Sequence, residues 1–315
     1  MRKIGLIDID YNGSFPNIAL MKLSAFHKAQ GNEVGWYSPF AGRYDIVYVS
    51  KVFSWSADYL EHINAARVIR GGSGYNIVNR NGKEVWENQY GIETELPSEI
   101  EHIYPDYSLY PRLTKETSFG FLTRGCPRGC GFCHVASKEG RYSRKVANLN
   151  EFWSGQKNIV LCDPNILACP DRLYLLGQLA DSKVYVDFNQ GLDARMINEE
   201  TARMLGKIKL KEVHFAWDCY ADRQKILAGL RTYSEYAERK PHSHNAIVYV
   251  LVNFDSTIEQ DLDRIYTLRD MGYWAYVMIY DKPNCRQIYR DMQRWCNNRI
   301  IFAKCEKFED YKRNL

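Results

Sequence analysis

Thr123-Arg124-Gly125-Cys126-Pro127-Arg128-Gly129-Cys130-Gly131-Phe132-Cys133-His134 is the stretch on which the reading of this chain turns. Three cysteines, separated by three and then two residues, put three thiols on one short loop. Gly125, Gly129 and Gly131 let the backbone bend closely around whatever those thiols hold. A loop of this kind can wrap one cuboidal iron–sulfur cluster. A [4Fe–4S] cluster ordinarily takes four cysteines, so three leave one iron open to an outside ligand. The competing reading is a structural zinc loop using Cys126, Cys130, Cys133 and His134. Zinc motifs usually come as two separated pairs, and this is a single run.

The loop directly follows an apolar run at residues 118–123. Five more such runs come after it, at 158–162, 183–188, 212–217, 246–252 and 275–279. Their starts lie roughly 25 to 40 residues apart, the length of one strand-plus-helix unit. Helical periodicity fills gaps between them, at 172–180, 199–205 and 258–271. Six units predict an α/β barrel or part of one, with chemistry at the C-terminal ends of the strands. Those ends carry Asp163, Asn165, Gln190, Asp193, Asp218, Asn253, Asp255, Tyr280 and Asp281. Loops are polar anyway, but every end being polar is what an active-site rim requires. Asp255 and Thr257 also fit a helix N-cap ahead of Ile258.

Upstream, residues 1–80 read as a smaller α/β unit. Strands are expected at 3–9, 33–37, 45–49 and 67–69. A helix is expected at 17–30, and a second at 56–65 capped by Ser56. Such alternation argues for a parallel sheet. Residues 81–117 read as an irregular connector, 118–284 as the barrel region and 285–315 as a C-terminal helical extension.

Composition narrows the class. With 45% hydrophobic and 25% charged residues, the 315-residue chain reads as an ordinary globular protein. No apolar run approaches the roughly 20 residues of a membrane helix. The start, Met1-Arg2-Lys3-Ile4-Gly5-Leu6, lacks the form of a secretory signal, so a cytoplasmic location is expected. Nine cysteines in that setting favour metal or redox chemistry over a disulfide framework. A net charge of +4 is too mild to imply nucleic acid by itself.

The Cys-x3-Cys-x2-Cys spacing, with Phe132 just before the last cysteine and a barrel strand ahead of it, resembles the radical S-adenosylmethionine (SAM) superfamily. The resemblance implies a partial (β/α)6 TIM-like barrel preceded by a small Rossmann-like parallel α/β domain. It implies that Cys126, Cys130 and Cys133 ligate a [4Fe–4S] cluster whose open iron takes the amino and carboxylate groups of SAM. The reduced cluster cleaves SAM to methionine and a 5′-deoxyadenosyl radical, which removes a hydrogen atom from a C–H bond. A reductant such as flavodoxin or ferredoxin is implied as partner. Phe132 would pack near the adenine. Asp163 and Asn165 stand where many members hold the SAM amino group, although the usual glycines are missing. Gln190, Asp193 and Arg195 are candidates for the ribose or the SAM carboxylate, and Asn253 and Asp255 for the adenine. Cys162, Cys219, Tyr276 and Tyr280 are candidates to quench a product radical.

The first 80 residues look like the cobalamin-binding-like domain that precedes the barrel in one branch of that superfamily, with Gly71-Gly72-Ser73-Gly74 as its glycine-rich turn. The base-off cobalamin fingerprint is Asp-x-His-x-x-Gly, and the matching stretch here runs from Asp8 to Gly13 with Asp10 in place of the histidine. Some members bind cobalamin without that histidine, so the cofactor stays open. The favoured reading is a degenerate domain without it, which helps to recognise substrate.

Two basic stretches bear on the substrate. Arg124, Arg128, Lys138, Arg141, Arg144 and Lys145 are opposed only by Glu139. They favour an anionic substrate, a nucleotide or nucleic-acid base, with equal weight for a role in SAM binding and solubility. Arg286, Arg290, Arg294 and Arg299 are interleaved with Tyr289 and Trp295, which suits nucleic acid but reads first as a surface helix closing the barrel. A peptide substrate is the runner-up, and a non-catalytic metal-binding module the alternative outside the enzymes. Cys285, Cys296 and Cys305 have no spacing of an auxiliary cluster and read as packing residues.

Overall fold

The computed structural model describes residues 1–80, 83–88, 91–92, 95–238, 241–242 and 245–312. Parts of the expected connector (81–82, 89–90, 93–94) and the last three residues lie outside that set. The chain divides into two compact units, Met1–Arg141 with Val146–Val160, and Tyr142–Lys145 with Leu161–Leu315.

In the first unit, β1 (Lys3–Asp8), α1 (Ile18–Ala29), β2 (Glu33–Trp36), β3 (Tyr44–Ser50) and β4 (Ala65–Gly71) build a four-stranded sheet in the order β2-β1-β3-β4. All its pairings are parallel. The central strand β1 is apolar at consecutive positions because both of its faces are covered, and Ile4 and Leu6 are fully buried. Leu20 and Leu23 of α1 pack on them. The Asn17 side chain accepts the Leu20 N–H (3.1 Å), which starts the helix. This order is that of a flavodoxin-like doubly wound sheet, whose switch point lies between β1 and β3. There Asn17 Nδ2 also donates to Ser50 Oγ (2.8 Å) and ties the two strand ends together.

The expected helix at 56–65 does not form. Ser56 donates its hydroxyl to Asp10, and Asp58 accepts Tyr75 Oη (2.7 Å) and faces Arg70 (3.7 Å). Side chains that would cap or line a helix are drawn to tertiary partners, which hold the segment irregular. The connector is less irregular than its prolines suggest. β5 (Ile77–Arg80) and β6 (Lys83–Trp86) pair antiparallel, and short helices α2 (Ser98–Glu101) and α3 (Pro111–Thr114) follow.

The expected strand at 118–123 is two pieces, β7 (Thr117–Gly120) and β8 (Thr123–Arg124). The cysteine loop then leads into α4 (Val135–Glu139), followed by β9 (Arg144–Lys145) and β10 (Asn158–Leu161). β7 and β10 are neighbours. Gly120 sits where a Cβ would drive into the Phe152 ring, which accounts for glycine at that position.

The second unit continues the alternation with α5 (Arg172–Ser182), β11 (Tyr185–Phe188), α6 (Glu199–Lys207), β12 (Val213–Trp217), α7 (Arg223–Tyr236), β13 (Ala246–Val252), α8 (Ile258–Asp270) and β14 (Trp274–Ile279). β12, β13 and β14 form a parallel sheet, and single bridges Val186–Leu210 and Leu192–Phe215 extend it toward β11. One face is apolar and buried, through Val213, Phe215, Trp217, Val248, Val250, Val252, Ala275 and Val277. The other carries His214, Tyr249 and Tyr276, which are less buried. Among the described residues the strands form separate open sheets and no closed barrel. Instead α9 (Gln287–Asn297) lies along β14, and the Asn297 side chain acts as a surrogate strand there. Its Oδ1 accepts the Val277 N–H (2.7 Å) and its Nδ2 donates to the Val277 carbonyl (3.0 Å). Such cover removes an open edge that would otherwise recruit another strand. α10 (Arg299–Lys304) follows α9. Cys296 is fully buried and bonded to the Ala275 carbonyl (3.0 Å), in keeping with a packing role. Among the described residues, no helix is long and apolar enough to cross a membrane.

Candidate active site

In the first unit, β8 delivers the chain to the cysteine loop. Gly125 and Gly129 adopt positive φ (84° and 60°), which glycine alone takes without strain. Cys126 N donates to the Gly140 carbonyl (3.2 Å) and Cys133 N to the Cys130 carbonyl (3.1 Å), so the loop folds back on itself. The Arg141 guanidinium occupies the space a Cβ at Gly129 would need.

A buried ionic knot braces the base of the loop. Arg124 lies over the Phe121 ring (3.5 Å) and pairs with Glu139 (2.9 Å), which also accepts the Gly125 N–H (3.0 Å). Burial alone would raise the Glu139 carboxyl, but Arg124, the Gly125 N–H and Lys138 outweigh it and hold it below its ordinary value. Burial lowers the Lys138 ammonium, which donates to Ser73 Oγ (2.5 Å). Two of the six basic residues of this segment are therefore committed to holding the loop.

All three loop cysteines are thiols of intermediate exposure. Their donor set is thiolate-only and supplies three ligands, which fits a [4Fe–4S] cluster with one open iron. Among the described residues no three His, Cys, Asp or Glu side chains are already gathered as a metal-ligating group. His134, the fourth ligand of the zinc alternative, turns its Nδ1 to Glu84 (3.3 Å).

Cobalamin fares differently. Asp10, in the position of the axial histidine, accepts the N–H groups of Val52 (2.5 Å) and Phe53 (3.4 Å) and the Ser56 hydroxyl. It organises the loop after β3 and offers cobalt no imidazole. The neighbouring Asp8 is raised by burial, although Tyr110 (2.6 Å) and Asn17 donate to it. These residues do not supply an axial ligand.

In the second unit, several strand-end residues of the sequence reading do meet. Asn165 Nδ2 donates to Asp193 Oδ2 (3.2 Å), and Asp193 holds Arg195 through Nε (2.7 Å) and Nη2 (3.1 Å). Arg195 reaches on to Asp222 (2.5 Å). Burial works against the Arg195 charge, but Asp193 and Asp222 overcome it and hold the guanidinium charged. Asp163 and Asn165 are almost fully buried, while Gln190 is exposed. At the next two strand ends, Cys219 Sγ lies 3.6 Å from Asp255 Oδ2, and Asn253 Nδ2 donates to the Tyr280 carbonyl (2.8 Å). Asn253 has φ 64°, a left-handed conformation that asparagine tolerates. Thr257, not Asp255, caps α8. Cys162 is buried. Tyr276 lies on the less buried sheet face in edge contact with Tyr249 (5.9 Å) and Trp274 (6.0 Å).

Three features escaped the sequence reading. Asp218 was visible only as one polar strand end, yet burial pushes its carboxyl up to about 6, against the pull of Arg195 and Arg264. Arg264, fully buried, donates to the carbonyls of Trp217 (2.6 Å), Asp218 (3.0 Å) and Leu251 (2.7 Å) and to Asp261 (2.5 Å). It pins the ends of β12 and β13. Its signal was two charges, Asp261 and Arg264, on the same helical stripe as Ile265 and Leu268. His214, stacked on Tyr249 (5.4 Å), faces Asp187 (3.3 Å) and Glu212 (3.5 Å) on that same less buried sheet face.

No protein-family model matches the sequence, and no curated protein matches it. Among solved structures, the apo, selenomethionine-labelled OxsB, a cobalamin-dependent S-adenosylmethionine radical enzyme, superposes with a TM-score of 0.55 at 13% identity. The match covers 99% of this chain and 56% of that one, so this chain spans little more than half its length. At that identity the likeness establishes the fold alone: over its own length this chain shares the fold of that enzyme.

Proposed function

We propose that this protein is a radical SAM enzyme that cleaves SAM reductively and attacks a C–H bond of an anionic substrate, a nucleotide or a nucleic-acid base. The observation that carries the reading is the three-thiol loop after β7 and β8, turned by Gly125 and Gly129 and braced by Arg124 and Glu139, in a chain of radical SAM fold. Cys126, Cys130 and Cys133 would hold the cluster, which supplies the electron that breaks the SAM carbon–sulfur bond. The protein's own share is placement and exclusion of water. Asn165, Asp193 and Arg195, already bonded to one another, are the favoured SAM contacts, with Phe132, Asp163, Gln190, Asn253 and Asp255 as further candidates. Tyr276, Tyr280, Cys162 and Cys219 remain candidates to quench a product radical.

We take residues 1–80 as the Rossmann-like domain, 81–117 as the connector, 118–284 as the partial barrel and 285–315 as its extension. No step is assigned to cobalamin, given Asp10. A reducing cytoplasm with a flavodoxin or ferredoxin as electron donor suits this chemistry. The single run of three closely spaced cysteines, in place of two separated pairs, counts against the zinc module.

Anaerobic reconstitution with iron and sulfide tests the reading independently of turnover. It predicts iron and sulfide in equal amounts, visible charge-transfer absorption, and an electron paramagnetic resonance signal after reduction that changes on adding SAM. Stoichiometric zinc with no such absorption would overturn it.

A further inference from the structure

A groove of about 410 Å³ runs beside the covered edge of β14, lined by Tyr276, Lys282, Arg290 and Arg294 together with amide side chains of α9. No acid lines it. Of the two acids nearest in sequence, Asp281 accepts the Asn284 side chain (3.0 Å) and Asp291 accepts that of Gln287 (2.8 Å). Arg290 is held in place by Nη2, which donates to the carbonyls of Lys282 (2.5 Å) and Pro283 (3.2 Å). Its Nε and Nη1 point to no described acceptor. Arg290 and Arg294 lie four residues apart on α9, one turn from each other, so they share one face of that helix.

Three cations gathered in a groove whose lining holds no acid repel one another and are relieved by an anion. A guanidinium fork presents paired N–H groups that match phosphate oxygens. Lys282, Arg290 and Arg294 outnumber the single charge of one phosphodiester, which favours a run of them. Tyr276, fixed edge-on between Tyr249 and Trp274, supplies an aromatic surface at the groove wall. Cationic side chains beside an aromatic platform suit a single strand, whose bases are available to stack.

We infer that this groove binds the phosphodiester backbone of a single-stranded nucleic acid, with Lys282, Arg290 and Arg294 on phosphates and Tyr276 against a base. The inference rests on the enzyme reading above and names its substrate class. Chemistry on a base requires the base out of its stack, which a single strand provides.

The test is fluorescence anisotropy of a short labelled single-stranded RNA or DNA with the full-length protein, across a salt titration. Wild type should bind, with affinity falling as salt rises. R290A/R294A, shown folded by circular dichroism, should weaken binding by about tenfold or more and reduce the salt slope by about 1.4, the loss of two phosphate contacts on a single strand. R203E, on α6 away from the groove, should bind as wild type does. No binding by wild type, an unchanged slope in R290A/R294A, or displacement by ATP or polyglutamate as effective as by unlabelled strand would overturn the proposal. Formation of 5′-deoxyadenosine is followed separately without nucleic acid. Binding without that product would sink the enzyme reading alone, and product without binding would sink the groove alone.

Discussion

Replacing Arg264 by Met should unfold the second unit early, and the size of the loss follows from what the guanidinium holds. Arg264 and Asp261 are both fully buried, and their contact is 2.5 Å. Burial still pushes the Asp261 carboxyl above its ordinary value, despite the help of Ser256 and Arg264. Without Arg264 the carboxyl loses its counter-ion, and the Trp217, Asp218 and Leu251 carbonyls lose a donor. Removing one member of a buried pair costs about 3–5 kcal/mol. Asp261 can escape the worst of it by taking up a proton, so the lower end, about 3 kcal/mol, is expected. At roughly 2–4 °C per kcal/mol, Tm should fall by about 10 °C. The double variant D261L/R264M removes both charges and should recover about half of the loss, the orphaned carbonyls accounting for the rest. The assay is thermal unfolding of all three proteins, with D261L completing the cycle. A shift of R264M within about 2 °C of wild type, or strict additivity in the cycle, would refute the reasoning.

Other outcomes follow from the same geometry. Asp218 is raised to about 6, so its protonated form stabilises the fold at low pH, and that contribution is lost as pH rises through 6. D218N should therefore raise Tm relative to wild type above pH 6 and not below the ordinary carboxyl value of 3.8, in a pH series of melts. His214 is lowered by burial but raised more by Asp187 and Glu212, to a net value above the ordinary 6.5. Its charge stabilises below 6.5, and the gain disappears as pH climbs through the raised value. The Tm gap between wild type and H214Q should be widest under mildly acidic conditions and close in alkali. N297A strips Val277 of its N–H acceptor and one of its carbonyl donors, and should cost about 1–3 kcal/mol by urea denaturation.

The sequence was most legible where period and punctuation agreed. β13 falls on the expected run at 246–252 because its apolar residues are continuous, and α1 begins after Asn17 because that side chain caps it. The helix expected at 56–65 failed because Ser56 and Asp58 answer to Asp10 and Tyr75, partners far away in sequence. The cysteine loop announced itself by spacing. Its brace did not, since Glu139 looked like the lone acid in a basic run and proved to be the centre of it. Asn165 and Asp193 stood out by strand-end polarity and Arg195 by the family resemblance, but neither signal showed that the three bond to one another, and the same polarity advertised Gln190, which is exposed. Arg264 was hidden because a helical period treats a buried charge as an error in the stripe, when here it fastens two strand ends.

The central claim is that the three thiols on the glycine-hinged loop carry a cluster that cleaves SAM. The direct measurement is chromatography for 5′-deoxyadenosine after anaerobic incubation of the reconstituted protein with dithionite and SAM, beside Cys130→Ala treated identically. Wild type should form the product, and C130A should lose it with the fold intact by circular dichroism. No product from a wild-type protein that holds its full complement of iron and sulfide would contradict it.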